Sequence, residues 1–339
     1  MQIKLIQSLA ELDGLAAEWN ELALQNHVVS PFLQLEFQRA WWHLKGGGEW
    51  KKTDLFILAG YGDSGELVGI APLFRSGEEG SQKLLFIGSH EIADFLDIIC
   101  AQSNLQTFIS AIIDFLLRDA NTQWESLDLW NLLAESKSID TLQNISAERG
   151  LEFSNELLES SPIIALPKSF DDYLESLSGR DGKEMRRKLR KAARYPLPID
   201  LEILGQNDDY EQGVNDFFAL MAMEKHKAEF LQGEMREQMQ SIGQAAFAGG
   251  WGQLAFLRVG EQRLAAYFNF DYANRIWAYN SGFNPEHSEL SPGLLLTAKM
   301  VEWCIENGRE TFDFMRGDED YKYRVGGQDR YVQRVRISR

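Results

Sequence analysis

The sequence predicts a mixed α/β protein built of two domains in tandem, and three observations carry that expectation. The chain has 339 residues, 44% of them hydrophobic and 25% charged, which is long for one domain and apolar enough for a core in each half. Both halves read as hairpin, strand, helix, strand. Between them Ser160, Ser161 and Pro162 interrupt the chain within LLESSPIIALP.

In the first half, DLFILAGYG and LVGIAPLF are apolar runs joined by DSGE, whose Asp, Ser and Gly suit a turn. KLLFIGS is a third strand. LQTFISAIIDFLLRD has helical spacing, and ESLDLWNL is the strand after it. In the second half, QLAFLRVG and LAAYFNFDY form the hairpin around EQR. RIWAYNSGF, SPGLLLTAKMVEWCIENG and TFDFMRG follow as strand, helix and strand. Helix-rich sequence precedes each hairpin. These elements divide the chain into an N-terminal domain over 1–160 and a C-terminal domain over 161–339; the alternative is one large sheet.

Composition excludes several functions. A net charge of -17 repels phosphate and argues against a general nucleic-acid binder. Cys100 and Cys304 stand alone, and His27, His43, His90, His226 and His287 are scattered, so no metal is expected. The first fifteen residues contain acids and no long apolar run. FISAIIDFLL is too short to span a bilayer and contains Asp114. A soluble cytoplasmic protein is the expectation.

Three segments carry candidate chemistry. Ser291 can cap a helix that Pro292 starts, and Gly293 lets a ligand approach the positive end of its dipole, which suits a pyrophosphate. The strand before it presents Tyr279, Asn280 and Ser281 to the same cleft. An acyl donor with a phosphate-bearing handle fits that pair, although an ordinary capped helix has the same pattern. In FDFMRGDEDYKYRVGG, alternation puts Phe312 and Phe314 on one side of a strand and Asp313 on the other. Gly317 is expected to end the strand. Asp318, Glu319 and Asp320 then emerge with Tyr321, Lys322 and Arg324. This offers an acid to orient or deprotonate an acceptor and a lysine to hold an anion, or else a polar loop with internal ion pairs. Finally, Lys183, Arg186, Arg187, Arg190, Lys191 and Arg194 line one face of a helix within GKEMRRKLRKAAR. That stripe suits donor phosphates, a nucleotide- or lipid-linked acceptor, or RNA; a solvated face is the bland alternative. His226 and Glu224, in MEKHKAEF, are candidate bases without a distinguishing pattern.

SGFNPEHSELSPGLLL followed by FDFMRGDEDYKYRVGG resembles the CelD-like, FemAB-like branch of the GNAT acyltransferase superfamily. EWNELALQNHVVSPFLQLEFQRAWW, LVGIAPLF and GKEMRRKLRKAAR are similar to the same family's other segments. The resemblance implies two GNAT-like domains packed side by side and an N- or O-acyltransferase without a metal. Acyl-CoA, foremost acetyl-CoA, is the implied cosubstrate. The acceptor is a small-molecule or glycan-precursor amine or hydroxyl, and family association suggests cell-envelope or exopolysaccharide synthesis. It implies that Ser291, Pro292 and Gly293 take the donor phosphates, helped by Arg187 and Arg190. Asp313, Asp318 and Lys322 would line the acceptor side. Tyr321 or Tyr279 would face the leaving thiolate, and the backbone near Tyr279, Asn280 and Ser281 the acyl oxygen. The glycine-rich pyrophosphate loop of such proteins is replaced here by NPEHSELSPG. Two alternatives follow: a Fem-type transferase drawing on aminoacyl-tRNA, and a degenerate, non-catalytic binding module.

Overall fold

The structure is a computed structural model that describes residues 1–77, 82–118, 124–205 and 208–339. It divides into two compact units, Met1–Glu159 with Tyr331–Arg339, and Ser160–Arg330. The closing strand Tyr331–Ser338 therefore belongs to the first unit, where the sequence reading attached it to the second. It lies in the first unit's sheet against Ser126–Leu133, with Val335 opposite Leu129 and Ile337 opposite Leu127. Val332, Val335 and Ile337 are fully buried there, which gives the segment its reason to return.

The first unit holds two sheets. One orders Gln2–Ile6, Ile57–Tyr61, Leu67–Ala71 and Ile99–Cys100; the other orders Thr53–Leu55, Leu73–Ser76, Lys83–Phe86, Ser126–Leu133, Tyr331–Ser338 and Glu152–Ser160. The expected hairpin is present, and both of its arms change sheets, at Phe56 and at Pro72. Proline has no N–H to give a ladder, so a crossover there loses nothing.

The second unit is built on one six-stranded sheet. Its order is Ile163–Ala165, Thr311–Asp313, Arg275–Phe283, Gln262–Tyr272, Gly252–Val259 and Ile199–Ile203. Both faces of the central strands are covered, so GQLAFLRV and the middle of QRLAAYFNFDY are nearly continuously apolar. On one face Ala265, Tyr267, Ile276, Ala278 and Phe312 pack with Leu295, Leu296, Met300 and Val301 of helix Pro292–Glu306. On the other lie helices Tyr210–Met221 and Met235–Ala248. A glycine is required at position 282, where a Cβ would come within 2.3 Å of the Met221 backbone nitrogen.

One feature of this sheet positions the site. Arg275–Phe283 and Thr311–Asp313 run parallel, as a helical crossover demands, but they pair only from Arg275/Thr311 to Trp277/Asp313. Beyond that point Ala278 to Phe283 keeps its other partner, Gln262–Tyr272, and no described strand pairs with its side toward the departing strand. The register with Gln262–Tyr272 shifts there as well. Phe268 faces Asn280 and Asn269 faces Ala278, so Tyr279 is a bulged extra residue.

Candidate functional site

A line of hydrogen-bonded hydroxyls runs beneath this free edge. Tyr267 reaches Thr297 across 2.8 Å, and Thr297 donates back one helical turn to the Gly293 carbonyl at 2.9 Å. At its other end the Tyr267 hydroxyl pairs with that of Tyr321. Tyr321 sits in a short helix, Asp320–Arg324, where a loop was expected. It is 39% exposed, and its hydroxyl is the enclosed end. Burial drives its pKa well above the usual value, and Tyr267, Glu319 and Glu224 push it further. Burial raises Tyr267 to about 12, against the lowering effect of its bonds to Thr297 and Tyr321. Both phenols are therefore protonated donors at neutral pH.

The free edge is capped by side chains. The Ser281 N–H donates to Asn280 Oδ1 at 2.9 Å, and the Ser281 carbonyl accepts from Lys227 Nζ at 2.8 Å. Lys227 also meets Glu224 at 2.8 Å and Ser281 Oγ at 3.3 Å. It belongs to helix Lys225–Phe230, and its side chain is 19% exposed. Glu224 lies close enough to Tyr321 to raise that phenol's pKa. The strand edge, an amine and a carboxylate thus converge, and the charge of the carboxylate is felt at the Tyr321 phenol.

The tip of helix Pro292–Glu306 is the other end of the line. Pro292 begins the helix as expected, but Ser291 caps it differently. Its φ is 56°, its carbonyl accepts from Leu295 N, and its hydroxyl makes no cap bond. That hydroxyl instead accepts from Lys188 Nζ at 2.6 Å, and Lys191 Nζ binds the Glu289 carbonyl at 2.8 Å. Apart from its own chain neighbours and helix backbone, a Cβ at Gly293 would meet nothing nearer than the Phe283 ring at 3.9 Å, so the glycine leaves open space beside the tip. Backbone N–H groups, a dipole end and two ammonium groups make this a fit for phosphates.

Several sequence-predicted residues fall elsewhere. Arg187 points outward and is clamped by Glu184 at 2.6 and 2.8 Å, and Arg190 is exposed; Lys188, which the stripe pattern left out, is the residue that turns inward. Arg180 and Lys183, with Arg187 and Arg324 opposite Asp181 and Glu184, line a cavity of about 630 Å³. Asp313 is fully buried rather than facing an acceptor. Arg330 donates to it at 2.6 Å and Met315 N at 3.0 Å, because the strand is flanked on both sides by neighbours. The strand ends at Asp313, not at Gly317. Asp318 is exposed and acts on Tyr323, whose hydroxyl bonds Ser160 and Asp329. Lys322 is 1% exposed. Its ammonium binds the carbonyls of Met315, Arg316 and Gly317 and the Glu319 carboxylate, so it holds the loop in shape and is not free for an anion. Tyr279 stacks on Phe270 at 4.8 Å, on the face away from Tyr267, because its neighbour Ala278 packs on the Tyr267 face and side chains alternate along the strand. His226 is exposed. Tyr267, Thr297, Lys227 and Lys188 were missed: all four lie in runs that read as strand core or helix, and only pairing across the fold singles them out.

Residues 180–323 match the family described as an acetyltransferase (GNAT) domain. Among solved structures, FemX superposes with a TM-score of 0.71 at 12% identity, covering 99% of this chain and 97% of its own. A conserved protein of unknown function from Bacteroides thetaiotaomicron VPI-5482 gives 0.62 at 11% identity, with 100% of both chains covered. The C-terminal domain of a putative lysylphosphatidylglycerol synthetase from Agrobacterium fabrum gives 0.52 at 11%, with 83% of each covered. No curated protein matches the sequence. No described helix is long and apolar enough to cross a membrane.

Proposed function

We propose that this chain is an acyltransferase that moves an acyl group from acyl-CoA to an amine or hydroxyl; the match of residues 180–323 to the acetyltransferase (GNAT) domain family and the likeness of the fold to FemX support it. The observation that carries this is the hydroxyl line from Tyr321 through Tyr267 and Thr297 to the helix tip at Gly293. It joins a phosphate-binding end to a free strand edge, the two ends that a thioester with a phosphate handle needs.

In this reading Lys188, Lys191 and the helix tip hold the donor's phosphates, and the thioester lies along Ala278 to Ser281. Glu224 accepts the acceptor's proton. Tyr321 faces the departing sulfur. Its one proton is given to Tyr267 in the line described above, so it turns from Tyr267 to the thiolate, and its raised pKa makes it a hydrogen-bond donor there more than an acid. Much of the remaining acceleration comes from holding donor and acceptor together. Acceptors from cell-envelope or exopolysaccharide precursors agree with the cationic cavity at Arg180 and Lys183.

Titration calorimetry with acetyl-CoA tests the reading. Saturable heat that Lys188→Ala weakens supports it. No heat from acetyl-CoA or longer acyl-CoAs overturns it in favour of a binding module. A second reading, transfer from aminoacyl-tRNA, is favoured by the exposed cations of helix Gly179–Ala193. Arg180, Lys183 and Arg194 have no acidic partner among the described residues. It requires RNA binding that weakens steeply with salt.

A further inference from the structure

We infer that Lys227 is itself an acceptor, so that the protein acylates its own chain at this side chain. The inference rests on the acyl-CoA reading and deepens it by naming one substrate. Its basis is where the ε-amine sits. It lies 2.8 Å from the Ser281 carbonyl, on the stretch of strand that has lost its parallel neighbour. It lies 2.8 Å from Glu224, the carboxylate that also acts on Tyr321. An incoming amine would need the same three neighbours: the edge, a base, and a phenol facing the leaving group. Lys227 already has the edge and the base, the charge of that base acts on the Tyr321 phenol, and the lysine side chain is still 19% exposed. A lysine serving only as a strut would equally tie helix Lys225–Phe230 to the strand, so the chemistry has to decide.

The step balances without a further reactant. The ammonium of Lys227 passes one proton to Glu224 and on to water. The neutral amine attacks the thioester carbon, and the C–N bond forms as the C–S bond breaks. The amine's second proton ends on the sulfur, which leaves as free thiol beside Tyr321. The product is an Nε-acyl-lysine. It carries no charge and keeps one N–H, so the ion pair with Glu224 is lost and a single donor is left where three stood.

Full-length protein incubated with acetyl-CoA and mapped by peptide mass spectrometry tests this. Lys225, two residues away with a side chain 91% exposed, is an internal control for simple chemical acetylation. The expected result is acetylation of Lys227 at least about tenfold faster than of Lys225, slowed by about tenfold or more in Glu224→Gln and in Tyr321→Phe. Lys227 modified no faster than Lys225, or at an unchanged rate in both variants, overturns the inference. So does an unmodified Lys227 in protein that calorimetry shows to bind acetyl-CoA, and in that case the acyl-CoA reading stands. If acetyl-CoA does not bind at all, both fall.

Discussion

The two units repeat one order of elements, and a buried carboxylate in the first contrasts with a line of hydroxyls in the second. In the first unit Asp97 is fully buried and completely used. It accepts from Ser138 Oγ and Ile98 N on one oxygen and from Ser136 Oγ at 2.6 Å on the other, with His27 Nε2 3.4 Å away. In the second unit the Tyr321–Tyr267–Thr297 line ends on a half-exposed ring and an amine-capped edge. The sheets explain the contrast. In the first unit both hairpin arms cross from one sheet to the other, and Tyr331–Ser338 fills in beside Ser126–Leu133. In the second, Arg275–Phe283 runs past the end of its parallel partner, and among the described residues only side chains meet the edge at Ser281. A closed network fixes a fold, and an unfinished one leaves donors and acceptors for a guest.

Removing the carboxylate of the closed network should have the largest effect. Asp97→Ala strands two hydroxyls and an imidazole and is expected to cost about 3–5 kcal/mol. Six of the nine tryptophans lie in the first unit, so urea unfolding followed by tryptophan fluorescence reports it. Tyr321→Phe should instead leave the midpoint within about 1 kcal/mol and reduce acyl transfer about 100-fold. A stability loss matching that of Asp97→Ala would mean that the two networks are alike and that the second is no site. Lys188→Ala should weaken acetyl-CoA binding about tenfold in calorimetry, with Arg187→Ala nearly silent because that side chain is exposed and held by Glu184.

The smallest effect concerns pH. Burial opposes the charge on His27, but the hydrogen bond and negative charge of Asp97 outweigh it and leave the pKa raised. A group whose pKa rises on folding contributes its full stability below its unfolded pKa, about 6.5 for histidine, and loses it as pH climbs through the higher folded value. The first unit should therefore unfold at lower urea above neutrality than at about pH 6. His27→Gln should flatten that slope. An unchanged slope would show that the closed network does not titrate.

Much of the layout was legible in advance because periodicity is local. The second unit's hairpin, the helix that Pro292 starts, and the shared face of Phe312 and Phe314 all followed from neighbouring residues; those two rings meet at 4.9 Å. Individual roles were less legible. Asp313 and Lys322 looked chemically available because the sequence shows only what stands beside them along the chain. Arg330, which closes on Asp313, comes from a different strand connection, and the carbonyls around Lys322 come from backbone geometry. Tyr267 and Thr297 looked like core and helix for the same reason.

By itself the sequence determined the hairpins, the repeated order of elements and the helix that Pro292 starts, since spacing and turn chemistry act within a few residues. Only the tertiary structure decided that Tyr331–Ser338 returns to the first unit, that Lys188 rather than Arg187 turns inward, and that Lys227 meets the free edge. Those outcomes depend on which distant partners compete for each polar group, and burial settles that competition only once the chain has packed.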